Sequence, residues 1–263
     1  MVKSRHVPDV DWPLVARLAL MSRWIDTIEE DELAPQGKIT YQFSSKGHEL
    51  GQVLLALALD QGHDAAGVYY RSRPFMLASG LLPAEAFAAD MALTGSPSEG
   101  RDVGVVYSMI GRGRATVLPS SGDVGAQYTP AAGWAQAVRY HSETLRDGAW
   151  SGAMAAVLGG DGSVASNGFW SALVMATTLQ LPLLFFVEDN GYGISVPGHL
   201  PTPGGDIAAN LASFQGLKLI SGSGTDPKEA AALIRQGVDH ARSGAGPVLL
   251  RLRVPPRSGA GRF

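Results

Sequence analysis

Cysteine is absent from all 263 residues, so this chain has no disulfide framework, thiolate metal site or cysteine nucleophile to draw on. Long apolar runs are missing too. The longest, Leu181 to Val187, falls far short of the ~20 residues that cross a bilayer. Charge is sparse, at 17% of residues with a net charge of −3 and no basic stretch, which speaks against a nucleic-acid or membrane-surface partner. The opening segment MVKSRHVPDVDWP carries no apolar core of a secretory leader, and the cytoplasm is the expected location. What is abundant is glycine, 33 residues with no period or low-complexity tract, as suits a protein rich in strand-to-helix turns. The expectation is a single α/β domain over residues 1–263, with a helical extension at about 11–60 and a core of useful size.

The most informative stretch is 153–197. An apolar run at Met154 to Leu158, a glycine turn, a helix-length segment and a second apolar run at Leu183 to Val187 read as one βαβ unit. Near-continuous apolar strands imply a parallel sheet covered by helices on both faces. At the first turn, Gly160-Asp161-Gly162 follows a buried-type strand and is expected to open a helix, offering backbone N–H groups and a positive dipole end to an anion. At the second, Asp189, Asn190, Gly191, Tyr192 and Gly193 stand where open parallel sheets bind ligands. Two readings are open. Gly160-x-Gly162-x-x-Ala165, with Glu188 or Asp189 at the next strand end, fits a dinucleotide fingerprint. Against it, the Asp161 carboxylate repels a pyrophosphate unless a cation intervenes. Asp161 and Asn190 supply two oxygen ligands, and Mg²⁺ takes few protein oxygens plus phosphate and water at roughly 2.1 Å. The second reading is therefore a metal-bridged diphosphate.

These residues carry a resemblance. Gly160-Asp161-Gly162, followed 190 − 161 = 29 positions later by Asn190 and closed by Gly191-Tyr192-Gly193-Ile194-Ser195, is similar to the thiamine diphosphate motif. The closing segment resembles that of the α subunit of the 2-oxo acid dehydrogenase E1 component, of the branched-chain and pyruvate type. The resemblance implies the thiamine diphosphate-binding fold and the cofactors thiamine diphosphate and Mg²⁺. Asp161, Asn190 and the Tyr192 carbonyl would then bind the metal, with Gly160, Gly162, Ser163 and Ile194 around the diphosphate. Val68-Tyr69-Tyr70-Arg71-Ser72-Arg73-Pro74 is similar to the family's Tyr-Arg element, and guanidinium with phenol suits phosphate recognition. By position Tyr70 and Arg71 would contact the diphosphate. The segment 118–127 resembles the family's Ser-Ser element, which would put Ser121 at the reacting centre and Val124 against the bent cofactor.

The rest of the chain alternates helix and strand. Asp11 before Trp12-Pro13 starts a helix that reaches the acidic run Glu29 to Glu32, read as a solvated helix end. Glu49 to Leu59 forms a second helix, and His48 before it has either a functional or a packing role. Helices are expected at 81–93 and 130–146, a strand at 216–220, and a capped helix from Asp226-Pro227-Lys228-Glu229 with capping-box chemistry. The apolar run 247–254 closes the sheet. Two departures from the family pattern stand out: Glu188 occupies a place usually held by arginine, and no Gly-His-Ser loop follows the last strand, so the resemblance covers about 11–254 of what looks like a shortened α half. Its implied activity is oxidative decarboxylation of a 2-oxo acid, branched-chain substrates favoured, with acyl transfer to the lipoyl domain of E2. Its implied partner is an E1 β subunit or fused β half, in a heterotetramer, supplying the glutamate that this half lacks and without which it would be inactive.

Overall fold

The computed structural model describes residues 10–101, 108–193 and 195–256. Its centre is a six-stranded, all-parallel sheet of order β2-β1-β3-β4-β8-β7, with β1 Ala65–Gly67, β2 Thr116–Val117, β3 Ala155–Gly160, β4 Leu183–Asp189, β7 Lys218–Ser223 and β8 Val248–Arg253. A two-stranded antiparallel ribbon, β5 Tyr192–Gly193 and β6 Val196–Pro197, follows β4. Pleat alternation sorts the side chains. Ala156, Leu158, Leu184, Phe186, Leu250 and Leu252 face one apolar cluster, while Ala155, Val157, Leu183, Phe185, Val187 and Leu249 face the other.

Each face is covered by helices. On the first lie α1 Trp12–Ile28, α2 Glu49–Ala58, α3 Arg73–Ala78 and α8 Pro227–Arg242; α4 Pro83–Asp90 packs at its margin. On the second lie α5 Tyr128–Arg139, α6 Asn167–Leu179 and the short α7 Ile207–Asn210. Small residues set the approach of α5 and α6: Ala131, Ala132 and Ala135 on one, Ala172 and Ala176 on the other, all buried. Helix starts follow the capping chemistry of the sequence. Asp11 accepts from Leu14 N at 2.9 Å and Asp226 from Glu229 N at 2.9 Å. The capping box at α8 is only half made, because the Glu229 carboxylate accepts from Ser223 N at 2.9 Å, at the end of β7, and not from its own cap residue.

Other boundaries differ from those the sequence suggests. The segment after Pro83 is helical only to Asp90, and the one around Pro130 starts at Tyr128 and passes into a π-helical turn at Tyr140–Thr144. Residues 216 and 217 precede the strand, which begins at Lys218 and runs on through Gly222-Ser223.

The acidic run after α1 is not a solvated end. Glu29 is fully buried in a cluster in which Arg73 bonds Asp26, meets Glu29 at 2.9 Å and Asp90 at 3.1 Å. Three carboxylates around one guanidinium leave excess negative charge in a poor dielectric. Burial pushes the Glu29 carboxyl up to about 10, and its neighbours Asp90 and Asp26 push the same way against Arg73. Glu29 is thus protonated at neutral pH. Because its folded-state pKa lies above the ordinary carboxylate value, the stability it confers is full at low pH and declines as pH rises toward 10. Wild type should therefore lose about 1 kcal/mol per pH unit between pH 7 and 9 in urea unfolding, a slope that Glu29→Gln removes. Arg73→Met, which strands buried carboxylates, should cost about 3–5 kcal/mol.

Candidate functional site

The carboxyl ends of β1, β3 and β4 open onto a cavity of about 290 Å³. It is lined by Tyr69, Tyr70 and Arg71 after β1, by His48 before α2, by Ser121, Val124 and Gln127 ahead of α5, by Gly160 to Ser163 after β3, and by Asn190, Tyr192 and Gly193 after β4. All the site residues expected from the sequence meet here except Ile194, which lies outside the described residues.

Asp161 sits at the floor, 8% exposed, and its Oδ2 is buried without a hydrogen-bond partner. Burial first and the negative charge of nearby Asp189 second raise its carboxyl to about 6, against backbone N–H groups at 161, 162 and 190 that favour the anion. Only a glycine leaves room beside that oxygen: a Cβ at position 198 would stand 2.9 Å from Oδ2. A buried, unpartnered carboxylate oxygen is expensive unless something outside the chain meets it. The Gly160-Asp161-Gly162 turn does not open the α-helix, contrary to expectation. Asp161–Ala165 forms a 3₁₀ turn, and α6 starts at Asn167 because Ser166 Oγ caps it by accepting from Phe169 N at 3.3 Å. The turn expected to seat an anion is pinned to α5 by Ser163 Oγ, which is 2.6 Å from the Tyr128 hydroxyl and donates to Gly160 O at 2.6 Å.

At the end of β4, alternation sends consecutive acids to opposite faces. Asp189 points toward the α6 side, where Arg251 of β8 holds its Oδ2 with Nε at 2.6 Å and Nη2 at 2.5 Å. Arg251 also donates to Asp206 Oδ2 at 2.7 Å. Glu188 points to the α2 side, fully buried, accepting from Gln52 Nε2 at 2.7 Å and from the Tyr69 hydroxyl at 3.2 Å. Neither acid lines the cavity, so neither is placed to hold a ribose, and the dinucleotide reading loses its acidic residue. Asn190 Oδ1 accepts from Tyr192 N at 2.9 Å, closing a turn that needs the left-handed backbone of Gly191, φ +76°.

Arg71 is half-buried, its Nη1 donating to Ser44 O at 3.0 Å and its guanidinium centre 5.0 Å from the Tyr70 ring centroid. Ser44 and Ser45 are held in turn by Asp26 Oδ2, at 2.9 and 2.8 Å. Arg73, the second arginine of the motif, serves the buried cluster and not the cavity. Ser121 and Val124 stand on an exposed segment whose Gly125, φ +97°, is in backbone contact with α6: a Cβ on Gly168 would lie 2.2 Å from Gly125 O. The sequence reading missed Arg251 and the Glu188 network. A basic residue inside the apolar run Leu249-Leu250-Arg251-Leu252 is the signal that was there to find.

Among the described residues no three His, Asp or Glu side chains converge as a metal cage. A cation here would rest on the Asp161 carboxylate, the Asn190 amide oxygen, backbone carbonyls and the oxygens of a bound anion, the donor set Mg²⁺ prefers.

Against known proteins, residues 16–254 match the model of the dehydrogenase E1 component family. The 2-oxoisovalerate dehydrogenase subunit alpha of Bacillus subtilis is 29% identical over 225 residues, 84% of this chain and 65% of that protein. The pyruvate dehydrogenase E1 component subunit alpha of Zymomonas mobilis is 29% identical over 216 residues, 79% of this chain and 55% of its own length. This chain thus spans between half and two thirds of those relatives. The transketolase structure from Campylobacter jejuni superposes with a TM-score of 0.63 over 93% of this chain and 38% of its own at 15% identity, a likeness of fold. With the match running through the whole sheet and both cavity turns, the chain belongs to the dehydrogenase E1 component family.

Proposed function

We propose that this chain is the α part of a 2-oxo acid dehydrogenase E1 and holds thiamine diphosphate through Mg²⁺. The observation that carries the reading is Asp161, whose Oδ2 is buried and unpartnered and which lines a cavity that also presents Asn190 and Arg71. The residues fit the group. Asp161 and Asn190, with the Tyr192 carbonyl, would take the metal; Tyr70 and Arg71 would take the diphosphate, together with Gly160, Gly162, Ser163 and Ile194; Ser121 and Val124 would face the organic part of the cofactor. When bound, thiamine diphosphate supplies the carbanion and electron sink for decarboxylating a 2-oxo acid.

What the chain does is anchor and orient. The 3₁₀ turn and the Asn190 turn fix two oxygens at adjacent strand ends, and the Arg251 bridge keeps Asp189 from competing for the cation. Arg71 offers a delocalised positive charge positioned through Ser44 and Asp26. Asp123 and Asp161 are the only carboxylates lining the cavity among the described residues. Asp161 is committed to the metal and Asp123 lies on the exposed rim, so the carboxylate that polarises the pyrimidine would come from an E1 β subunit or fused β half. Exposed Val124, Tyr192 and Val196 on that rim suit coverage by such a partner in a heterotetramer, and the acyl group would pass to a lipoyl domain of E2. The 2-oxoisovalerate relative supports a branched-chain 2-oxo acid. No helix among the described residues is long and apolar enough to cross a membrane.

Titration calorimetry tests the reading directly. Thiamine diphosphate should bind only with Mg²⁺ present, and Asp161→Ala should abolish that binding; metal-independent binding of NAD would overturn it. A second outcome follows from the raised Asp161 carboxyl. Its folded-state pKa of about 6 lies above the ordinary value, so stability is lost as pH rises through that range. Asp161→Asn should therefore stabilise the ligand-free chain at pH 8 by about 1–2 kcal/mol, roughly 2–6 °C in melting temperature, while removing the stabilisation given by Mg²⁺ and cofactor.

A further inference from the structure

We infer that Tyr128 is a positioning residue: from α5, behind the cavity and outside it, its hydroxyl starts a relay through Ser163 that fixes the Gly160–Asp161 peptide and so aims the Asp161 carboxylate. What Asp161 receives rests on the cofactor reading above; how it is held rests on geometry. Tyr128 is fully buried and does not line the cavity. Its ring packs edge-on against Phe169 of α6, with centroids 5.3 Å apart, and stacks toward Phe185 of β4 at 6.2 Å. Phenylalanine would serve those contacts equally well. The hydroxyl is the part that packing does not explain, and a hydroxyl taken out of water is costly unless it has a partner.

The direction of the hydrogen bonds follows from counting protons. Ser163 Oγ has one hydrogen and donates it to Gly160 O at 2.6 Å, so at its 2.6 Å contact with Tyr128 it accepts. Burial holds the phenol protonated, above its ordinary range and against the opposing pull of Ser163. The relay therefore runs one way, from Tyr128 through Ser163 to the Gly160 carbonyl. A trans peptide sets its C=O and N–H on opposite sides, and no peptide bond among the described residues is cis. Drawing the Gly160 carbonyl toward Ser163 thus turns the Asp161 N–H the other way, where it is one of the amides that hold the Asp161 carboxylate. Gly159 makes room for the relay, since a Cβ there would collide with the Tyr128 and Ser163 oxygens. The glycine turn supplies the carboxylate, and a residue of a separate helix supplies its aim.

The test is calorimetry of thiamine diphosphate with Mg²⁺, together with amide hydrogen exchange of the ligand-free chain, on wild type, Tyr128→Phe, Ser163→Ala and the double variant. Phenylalanine keeps the ring and removes the first donor. Binding should weaken roughly 10-fold, as when other groups that orient a metal ligand from behind are lost. In the Ser163→Ala background the same change should weaken binding no further, because the relay is already cut. Without ligand, Tyr128→Phe should speed exchange of the Asp161 and Gly162 amides more than that of Val157 and Leu173, in β3 and α6, which report global stability. Unchanged binding in Tyr128→Phe, full additivity with Ser163→Ala, or exchange that speeds equally at all four amides would overturn the inference and leave the cofactor reading intact. If wild type itself does not bind, the cofactor reading falls, and the exchange rates alone decide whether Tyr128 holds the turn.

Discussion

Three carboxylates arrive together at the carboxyl ends of two fully buried neighbouring strands, and the poor dielectric there obliges each to find a positive or hydrogen-bonding partner. Asp161 follows β3; Glu188 and Asp189 end β4, side by side with it through the pairing of Gly160 with Glu188. Two of the three meet charged or polar side chains of the protein, although Glu188 keeps one oxygen unpartnered. Asp189 receives the two-pronged guanidinium of Arg251 from the next strand, and Glu188 receives Gln52, Tyr69 and the edge of His48. Asp161 is left with backbone N–H groups and one oxygen unmet. On the proposed reading, the lack of any side-chain partner for Asp161 makes a binding site from what would otherwise be a folding fault.

The same logic extends to the far side of the first face. Asp26 on α1 receives Arg73 from below and the hydroxyl and amide of Ser44 and Ser45 from above, and the Ser44 carbonyl in turn receives Arg71. A helix remote from the cavity therefore sets the position of the arginine that faces it. Since Glu29 carries a proton in this cluster, the surplus of acids there is resolved without a second cation.

The sheet and its two helical layers were legible because apolar strands and helix-period stripes are local signals, and because Asp11, Pro13, Asp226 and Pro227 mark helix starts by their own chemistry. The two cavity turns were legible for a similar reason: residues Gly160 to Gly162 and Asn190 to Gly193 are contiguous. What escaped depends on contacts between distant segments. Glu29 looks like any acid in a charged run until Arg73, 44 positions on, is folded beneath it. Arg251 belongs to Asp189 only once β8 has inserted beside β4. The start of α6 was misplaced because Gly160-Asp161-Gly162 and Ser166 both signal a helix start, and the hydroxyl cap at Ser166 wins.

The backbone contact between Gly125 and Gly168 has a practical meaning for anyone wishing to redesign the pocket mouth. Positions 120 to 124 are solvent-facing or half-buried and make few interactions of their own, so the fold constrains them little, and what limits change at Ser121 and Val124 is the cofactor they are proposed to face. Position 125 cannot change, for a side chain there would collide with the Ser166 hydroxyl that caps α6. The segment is a tip that packing leaves free on an anchor that packing fixes, and the boundary between them falls between two adjacent residues.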